Sequence, residues 1–202
     1  MHTVKVSRSR HCSLQTNQTE AKMFDQILTE RLRLRCLTAA DADQMHAYRS
    51  CKEVIQYQSS GAKSIEEVRA FIASMSLIDL NSPGWNQLAI ELRSDGSLIG
   101  DCGIHILADT RIAEFGITLA PAHHSQGYAA EALKAVLQLL FVELKKHRVC
   151  ASVDPRNLPS IALMARLGMR EEGHFVQSLW LQDTWVDDVV FAMLASEWKP
   201  ET

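Results

Sequence analysis

From Leu28 onward the sequence alternates between two hydrophobic periods, and no other feature constrains the fold as strongly. An apolar residue at every second position is typical of a half-buried strand, whereas apolar residues three or four apart are typical of an amphipathic helix. The run LRLRCL at 32–37 has the first pattern, and SIEEVRAFIASM at 64–75 has the second. Ser64 and Glu67 also have the spacing of a capping box, which favours a helix start there. The sequence therefore predicts a mixed α/β fold of the α+β class.

Three further strands are predicted in the middle of the chain. They are QLAIEL (87–92), LIGDCGIHIL (98–107) and RIAEFGITL (111–119). The pair Asp95-Gly96 between the first two is typical of a tight hairpin turn. The linker before the third strand is too short for a crossover helix, so we expect the three strands to be antiparallel.

The segment HHSQG (123–127) separates the third of these strands from an apolar-striped helix. Amides at a helix N-terminus are unpaired and carry partial positive charge, and a glycine beside them lets a bulky anion approach. Gly127 supplies that room, and the amides from Ser125 to Ala129 supply the donors. The segment is a candidate phosphate site, although Gly127 could also serve only to ease a tight strand-to-helix turn.

A second strand-to-helix junction follows. The run VCASV (149–153) has the composition of a short buried strand. A new helix is predicted to begin between Asn157 and Ser160 and to end at Gly168. Two such junctions on one edge of a sheet suit an extended ligand with phosphates at one end.

Composition excludes several classes of protein. A net charge of −3 gives no bulk attraction to nucleic acid or anionic lipid, and no apolar run approaches the roughly 18 residues of a membrane span, so we expect neither partner. The five cysteines are scattered without C-x-x-C spacing, which argues against a disulfide framework or a zinc site and favours a reducing, cytoplasmic compartment. We expect no metal ion, and the motifs of serine hydrolases, zinc proteases, P-loop enzymes and dinucleotide-binding folds are absent.

The first residues differ in character from the rest. Residues 1–25 have few large apolar side chains, so we expect a flexible extension before a single domain at 26–200. The extension could instead be a targeting segment, or Met23 could mark the true start.

Four segments resemble the GNAT N-acetyltransferases, and within them the branch of RimJ and RimL. They are ERLRLR (30–35), SLIGDCGI (97–104), EFGITLAPAHHSQGYAAEAL (114–133) and NLPSIALMARLGM (157–169). The third contains the pyrophosphate loop of the family, with His124 in place of the usual Gln or Arg. The resemblance implies a central, mostly antiparallel twisted sheet that splays at its middle strands and is flanked by helices. It also implies acetyl-CoA as cosubstrate.

The resemblance also implies which residues bind acetyl-CoA. The pyrophosphate would be bound by His124, Ser125, Gln126, Gly127, Tyr128 and Ala129. The backbone of Ile117, Thr118 and Leu119 would hydrogen-bond the pantetheine arm as an added strand does. The side chain of Asn157 would contact the same arm, a role that is compatible with an N-cap.

Two side chains are candidates for the chemistry. An attacking amine must be neutral, and at pH 7 deprotonation costs roughly 4 to 5 kcal/mol for a lysine-type amine but only about 1 to 1.5 kcal/mol for an α-amine. Glu114 is the candidate base, unless it is a solvated strand carboxylate. Ser160 would stabilise the departing thiolate, unless it only caps the helix. Met164 stands where many family members have a tyrosine acid.

Three functions remain compatible with the sequence. The preferred one is acetylation of a protein N-terminal α-amine, as in a ribosomal-protein-alanine acetyltransferase. The second is acetylation of a small amine such as a polyamine, an amino acid or an antibiotic. The third is a sensor that binds acyl-CoA without turnover. A C-terminal hairpin around Gln177–Trp185 is also predicted, and a homodimer is possible because relatives form one.

Overall fold

The computed structural model describes residues 24–58, 64–75 and 77–200. The expected flexible extension, residues 1–25, lies almost wholly outside the described residues. No helix within the described part of the chain has the length and apolar character needed to cross a membrane.

One eight-stranded sheet forms the centre of the described structure. In chain order its strands are β1 (Gln26–Leu28), β2 (Leu32–Cys36), β3 (Gly84–Leu92), β4 (Leu98–Ile106), β5 (Ile112–Leu119), β6 (Arg148–Val153), β7 (Arg170–Leu181) and β8 (Thr184–Leu194). Their order across the sheet is β1-β2-β3-β4-β5-β6-β8-β7. Every neighbouring pair is antiparallel except β5 and β6. The mostly antiparallel sheet and its terminal hairpin are therefore confirmed.

Five α-helices flank the sheet within the described residues. They are α1 (Ala42–Arg49), α2 (Lys52–Ile55), α3 (Ile65–Ser74), α4 (Tyr128–Gln138) and α5 (Leu158–Arg166). A π-helical turn at Leu139–Glu143 continues α4 and was not expected from the sequence. The capping box of α3 is confirmed, since the Glu67 amide donates to Ser64 Oγ at 3.2 Å and the Ser64 amide donates to Glu67 Oε2 at 2.7 Å.

The predicted hairpin turn at Asp95-Gly96 lies in the loop between β3 and β4. The loop spans residues 93–97, and of the Asp95-Gly96 pair only Gly96 has a positive φ, at 75°. The two-residue turn that an Asp-Gly pair favours needs a positive φ at both positions. Asp95 instead accepts hydrogen bonds from the amide and the hydroxyl of Ser97, at 3.0 Å and 2.7 Å. The predicted hairpin is confirmed, and its loop is not of the two-residue type.

Side chains on opposite faces of the sheet enter two hydrophobic cores. The larger core joins the sheet to α4 and α5 and includes Phe115 and Leu133, whereas the smaller core joins it to α1 and α3 and includes Met45. Successive residues of a strand point to opposite faces. Because Phe115 enters the larger core, Glu114 and Gly116 face the side on which α1 and α3 lie.

The C-terminus of α5 forms the expected glycine cap. Gly168 has a φ of 78°, its amide donates to the Ala165 carbonyl, and the Met169 amide donates to the Met164 carbonyl. These two bonds constitute a Schellman motif. The Met164 side chain is only 3% exposed and belongs to the larger core. It therefore packs in the hydrophobic interior.

Candidate active site

The sheet splays between β5 and β6. These strands pair over three residue pairs, of which Glu114–Cys150 is the last. From Phe115 onward β5 pairs only with β4, while the rest of β6 pairs only with β8. The side of Ile117, Thr118 and Leu119 that faces β6 therefore has no strand partner among the described residues. Such an edge accepts an extended ligand as an additional strand would.

The loop after β5 presents an array of backbone donors. Ser125 and Gly127 both have left-handed φ values, 59° and 83°. None of the amides from Ser125 to Ala130 has a hydrogen-bond acceptor within the described ranges. Left-handed residues turn successive amides toward a common point, and the N-terminus of α4 adds partial positive charge. The loop therefore has the chemistry to bind a diphosphate.

His124 connects this loop to the end of β5. Its Nε2 lies 2.9 Å from the Leu119 carbonyl oxygen, so the imidazole bridges two of the predicted cofactor-binding positions. Part of the hydrogen-bonding capacity of that carbonyl is already used. The ring therefore fixes the loop relative to the strand, which is a role the sequence did not indicate.

Arg31 is a second residue of the loop region that the sequence did not single out. Its Nη1 donates to the Gln126 carbonyl at 3.1 Å, its Nε donates to Glu131 Oε2 at 2.7 Å, and its guanidinium lies 4.4 Å above the Tyr128 ring. Burial opposes ionisation of Glu131, but hydrogen bonds from Thr29 and Arg31 hold the pKa of its carboxyl below the usual value. Arg31 thus braces the loop and neutralises the carboxylate beside it.

The second junction carries Asn157 and Ser160. Asn157 is the N-cap of α5, and its Oδ1 accepts from the Ser160 amide at 3.2 Å. The Asn157 Nδ2 and the Ser160 hydroxyl make no hydrogen bond within the described part of the chain. Because β5 and β6 run parallel where they pair, the C-terminal ends of both strands lie at the same end of the sheet. The predicted cofactor-binding residues therefore lie around one cleft.

Glu114 lies at the inner end of the splay, and its side chain is 34% exposed. Its Oε2 is 3.9 Å from Nδ1 of His105, its partner on β4. The His105 ring stacks on Trp85 of β3 with a centroid distance of 4.6 Å and an interplanar angle of 7°. A partly solvated carboxylate next to the cleft can accept a proton directly or through water. His105 and Trp85 were missed because single residues within strand patterns carry no signal of their own.

A buried polar cluster supports the same face of the sheet. Asp101 is 1% exposed, and it accepts hydrogen bonds from Tyr48 and Gln87, each at 2.6 Å, and from Arg49. Burial, and then the charge of Asp101, raise the pKa of Tyr48 well above its usual value, so the phenol stays a neutral donor. The cluster attaches α1 to β4 beside Thr118, the partner of Asp101 on β5. The described residues contain no group of three or more His, Cys, Asp or Glu side chains placed to hold a metal ion.

Comparison with known proteins identifies the family. The model of the acetyltransferase (GNAT) domain matches residues 31–170. The chain belongs to the GNAT acetyltransferase family. This membership confirms the family expected from the sequence, and solved structures with the same fold include RimJ and RimL acetyltransferases. The chain is therefore an N-acetyltransferase with acetyl-CoA as cosubstrate.

The similarity between this GNAT protein and individual relatives extends over almost the whole length of each relative. The uncharacterized N-acetyltransferase YnaD of Bacillus subtilis is 30% identical over 86% of this chain and 99% of its own. The putative ribosomal N-acetyltransferase YdaF of the same species is 26% identical over 89% of this chain and 100% of its own. The crystal structure of a GNAT acetyltransferase from Bacillus anthracis has a TM-score of 0.77 at 30% identity and covers 85% of this chain and 99% of that one.

Proposed function

We propose that this acetyltransferase acts on the N-terminal α-amine of a protein and that Glu114 is the general base. The observation that carries the proposal is the position of Glu114 as the last residue of β5 that pairs with β6. A thioester that follows the unpaired edge of β5 inward ends where the strands meet. The carboxylate therefore lies beside the place where an amine must lose its proton.

Acetyl-CoA would be bound mainly by main-chain groups. The amides of Ser125, Gln126, Gly127, Tyr128 and Ala129 would hold the diphosphate. The amide of His124 donates to the Pro121 carbonyl, so His124 would contribute by holding the loop against the end of β5 through its imidazole. The backbone of Ile117, Thr118 and Leu119 would pair with the pantetheine arm, and Asn157 would contact that arm through its Nδ2. The splay supports the assignments on β5, and the lack of acceptors for the amides from Ser125 to Ala129 within the described ranges supports those in the loop.

The reaction then proceeds by direct transfer. The amine nitrogen attacks the thioester carbonyl carbon, a new C–N bond forms and the C–S bond breaks. The proton lost by nitrogen passes to Glu114, directly or through a water molecule, as the exposure of the carboxylate allows. The Ser160 hydroxyl donates a hydrogen bond to the departing sulfur, which takes its proton from solvent. No tyrosine is required in this scheme, in agreement with the burial of Met164.

The α-amine is preferred over a small amine for two reasons. A partly exposed carboxylate suffices for an α-amine, whose deprotonation at pH 7 costs only about 1 to 1.5 kcal/mol. Among relatives, YdaF, named a putative ribosomal N-acetyltransferase, aligns over its whole length. The spermidine N(1)-acetyltransferase of Vibrio cholerae is 31% identical over only 38% of this chain. A ribosomal protein is accordingly the first acceptor to test.

Release of free CoA tests the proposal directly. The purified full chain is mixed with acetyl-CoA and either peptides that copy ribosomal-protein N-termini or a panel of polyamines, amino acids and aminoglycosides. We expect release above hydrolysis with peptides, and mass spectrometry should place the acetyl group on the α-nitrogen. Release only with small amines would replace the proposed acceptor class, and no release with any amine would refute transfer to these acceptors.

We further propose a cytoplasmic location and a homodimer. Among the described residues, the thiols of Cys36, Cys51, Cys102 and Cys150 are free, and free thiols are compatible with a reducing compartment. The β7–β8 hairpin exposes large apolar side chains at an edge of the sheet, among them Trp180 and Trp185. Fractionation of cells and the molar mass of the protein in solution test these two statements.

A further inference from the structure

Gly116 lies in the interior of β5, yet the fold does not require a glycine there. Its φ is not positive, and a Cβ built on it would have no atom within 4 Å. Glycine in a strand interior costs roughly 0.5 to 1 kcal/mol relative to alanine. Such a glycine often marks a position where a ligand or another backbone approaches closely. The space above Gly116 is thus a candidate for a binding subsite.

Among the described residues, four side chains of the sheet lie around the space above Gly116. Glu114 and Thr118 lie two residues away on the same face of β5, one at each end. The partner of Gly116 on β4 is Gly103, which adds no side chain to the floor. A Cβ on Gly103 would lie 3.4 Å from the Trp85 ring and 3.1 Å from Gln87 Oε1. The space therefore has a carboxylate at one end, a hydroxyl at the other and an indole edge with a carboxamide at the side.

Trp85 has the properties of a recognition residue. Its side chain is 53% exposed, although one ring face stacks on His105. An indole that is held in place but still exposed offers a rigid apolar surface at little cost in conformational entropy. No part of the larger core requires this side chain, since Trp85 is not among its members.

We propose that the space above Gly116 is the acceptor subsite and that Trp85 contacts the group next to the reacting amine. The acceptor class is then a primary amine with a hydrocarbon substituent on the carbon beside the nitrogen. An acidic substituent is disfavoured, because it would lie near the Glu114 carboxylate and be repelled by it. The inference rests on the proposed role of Glu114 and adds the chemical preference at the same site.

Calorimetry on the CoA-saturated full chain tests the subsite without the need for turnover. The probes are two pentapeptides that differ only in a first residue of leucine or aspartate. Wild-type protein should bind the leucine peptide at least tenfold more tightly. In Trp85→Ala this preference should fall to threefold or less, whereas Trp180→Ala, which removes a tryptophan of similar exposure from the hairpin, should leave it unchanged.

Gly116→Val provides the complementary test, and Gly116→Ala serves as the milder variant. Both should leave CoA affinity within twofold of wild type, while Gly116→Val should weaken the leucine peptide at least tenfold. Four results would each overturn the subsite. Two concern tryptophan and wild type: equal effects of Trp85→Ala and Trp180→Ala, or no preference of wild type for the leucine peptide. The other two concern the glycine variants: unchanged peptide binding in Gly116→Val, or loss of CoA affinity in both variants. If wild type prefers the leucine peptide but transfers no acetyl group, the proposed function fails while the subsite stands.

Discussion

Glu114 and Cys150 form the last residue pair between β5 and β6, and beyond them the strands separate. Two ionisable side chains therefore meet at the inner end of the cleft. Burial raises the pKa of the Cys150 thiol, and the nearby charge of Glu114 raises it further. The thiol therefore stays protonated at neutral pH and does not compete with Glu114 for the proposed role of base.

Replacement of Glu114 by glutamine should slow acetyl transfer to an α-amine. We expect kcat to fall by about 10²-fold or more at pH 7, because a positioned base contributes at least that much. The affinity for CoA should be unchanged, since the carboxylate makes no contribution to the diphosphate loop. Raising the pH toward 9 should shrink the defect, because an α-amine with a pKa near 8 becomes neutral without assistance.

Glu171→Gln is the matched control for this variant. Glu171 is also a strand glutamate, but it lies exposed on β7. Its replacement should leave kcat within twofold of wild type. If Glu114→Gln were equally active at pH 7, another group would have to be the base.

Gly127→Ala tests the phosphate loop, and Gly96→Ala provides its control. Both glycines have left-handed backbones, with φ values of 83° and 75°. Replacement of either one by alanine should therefore lower the free energy of unfolding by about 1 kcal/mol or slightly more. A Cβ at Gly127 would lie 3.4 Å from Arg31 Nη2, beside the unpaired amides, whereas a Cβ at Gly96 would meet nothing within 4 Å. Because the backbone strain is the same at both sites, the midpoint of thermal unfolding should fall by a similar amount in both variants.

The affinity for CoA should separate these two variants. Gly127→Ala should weaken CoA binding roughly tenfold, and Gly96→Ala should not, when both are measured by calorimetry. Equal affinities would mean that Gly127 serves only the strand-to-helix turn, the alternative that the sequence left open.

The fold was predictable from local signals that involve neighbouring residues. Strand and helix periods, the Ser64 capping box and the Gly168 cap are each encoded within a few residues, and the structure confirms them. The Asp95-Gly96 pair predicted the hairpin but not the geometry of its loop, in which the side chain of Asp95 accepts hydrogen bonds from Ser97. The π-helical turn after α4 has no signal in the local sequence pattern, and its residues Leu139, Leu140 and Phe141 lie in the larger core.

The candidate site was predictable only in part. Glu114 and the loop at Gly127 belong to recognisable motifs, and the splay places both around one cleft. Arg31 lies about a hundred positions away from the Glu131 that it contacts. Trp85 and His105 meet only through strand register. Such long-range contacts leave no periodic pattern, so a single sequence cannot reveal them.

Loss of the Asp101 carboxylate should destabilise the protein strongly. Asp101→Ala leaves the Arg49 guanidinium without its buried partner and deprives Tyr48 and Gln87 of their acceptor. Breaking a buried pair in this way typically costs about 3 to 5 kcal/mol. Urea denaturation at pH 7 measures the change. Asp109→Ala, which breaks a solvent-exposed pair with Arg111, should lower the free energy of unfolding far less than Asp101→Ala does. Similar losses in both variants would contradict a structural role for the cluster.

Glu172 should make stability sensitive to acid. Hydrogen bonds from Arg148 lower the pKa of its carboxyl from 4.5 to about 2, with a smaller contribution from Arg170. Because the folded protein favours the ionised form of Glu172, this carboxylate stabilises the fold above pH 4.5, and the stabilisation is lost as the pH falls toward 2. Between these values the unfolding free energy of wild type should decline more steeply than that of Glu172→Gln, as measured by urea denaturation at a series of pH values. Glu171→Gln is the control, because the neighbouring Glu171 lies outside the pairs with Arg148 and Arg170, and its unfolding free energy should follow the wild-type curve. Parallel curves for wild type and Glu172→Gln would show that the ion pairs contribute nothing to folding.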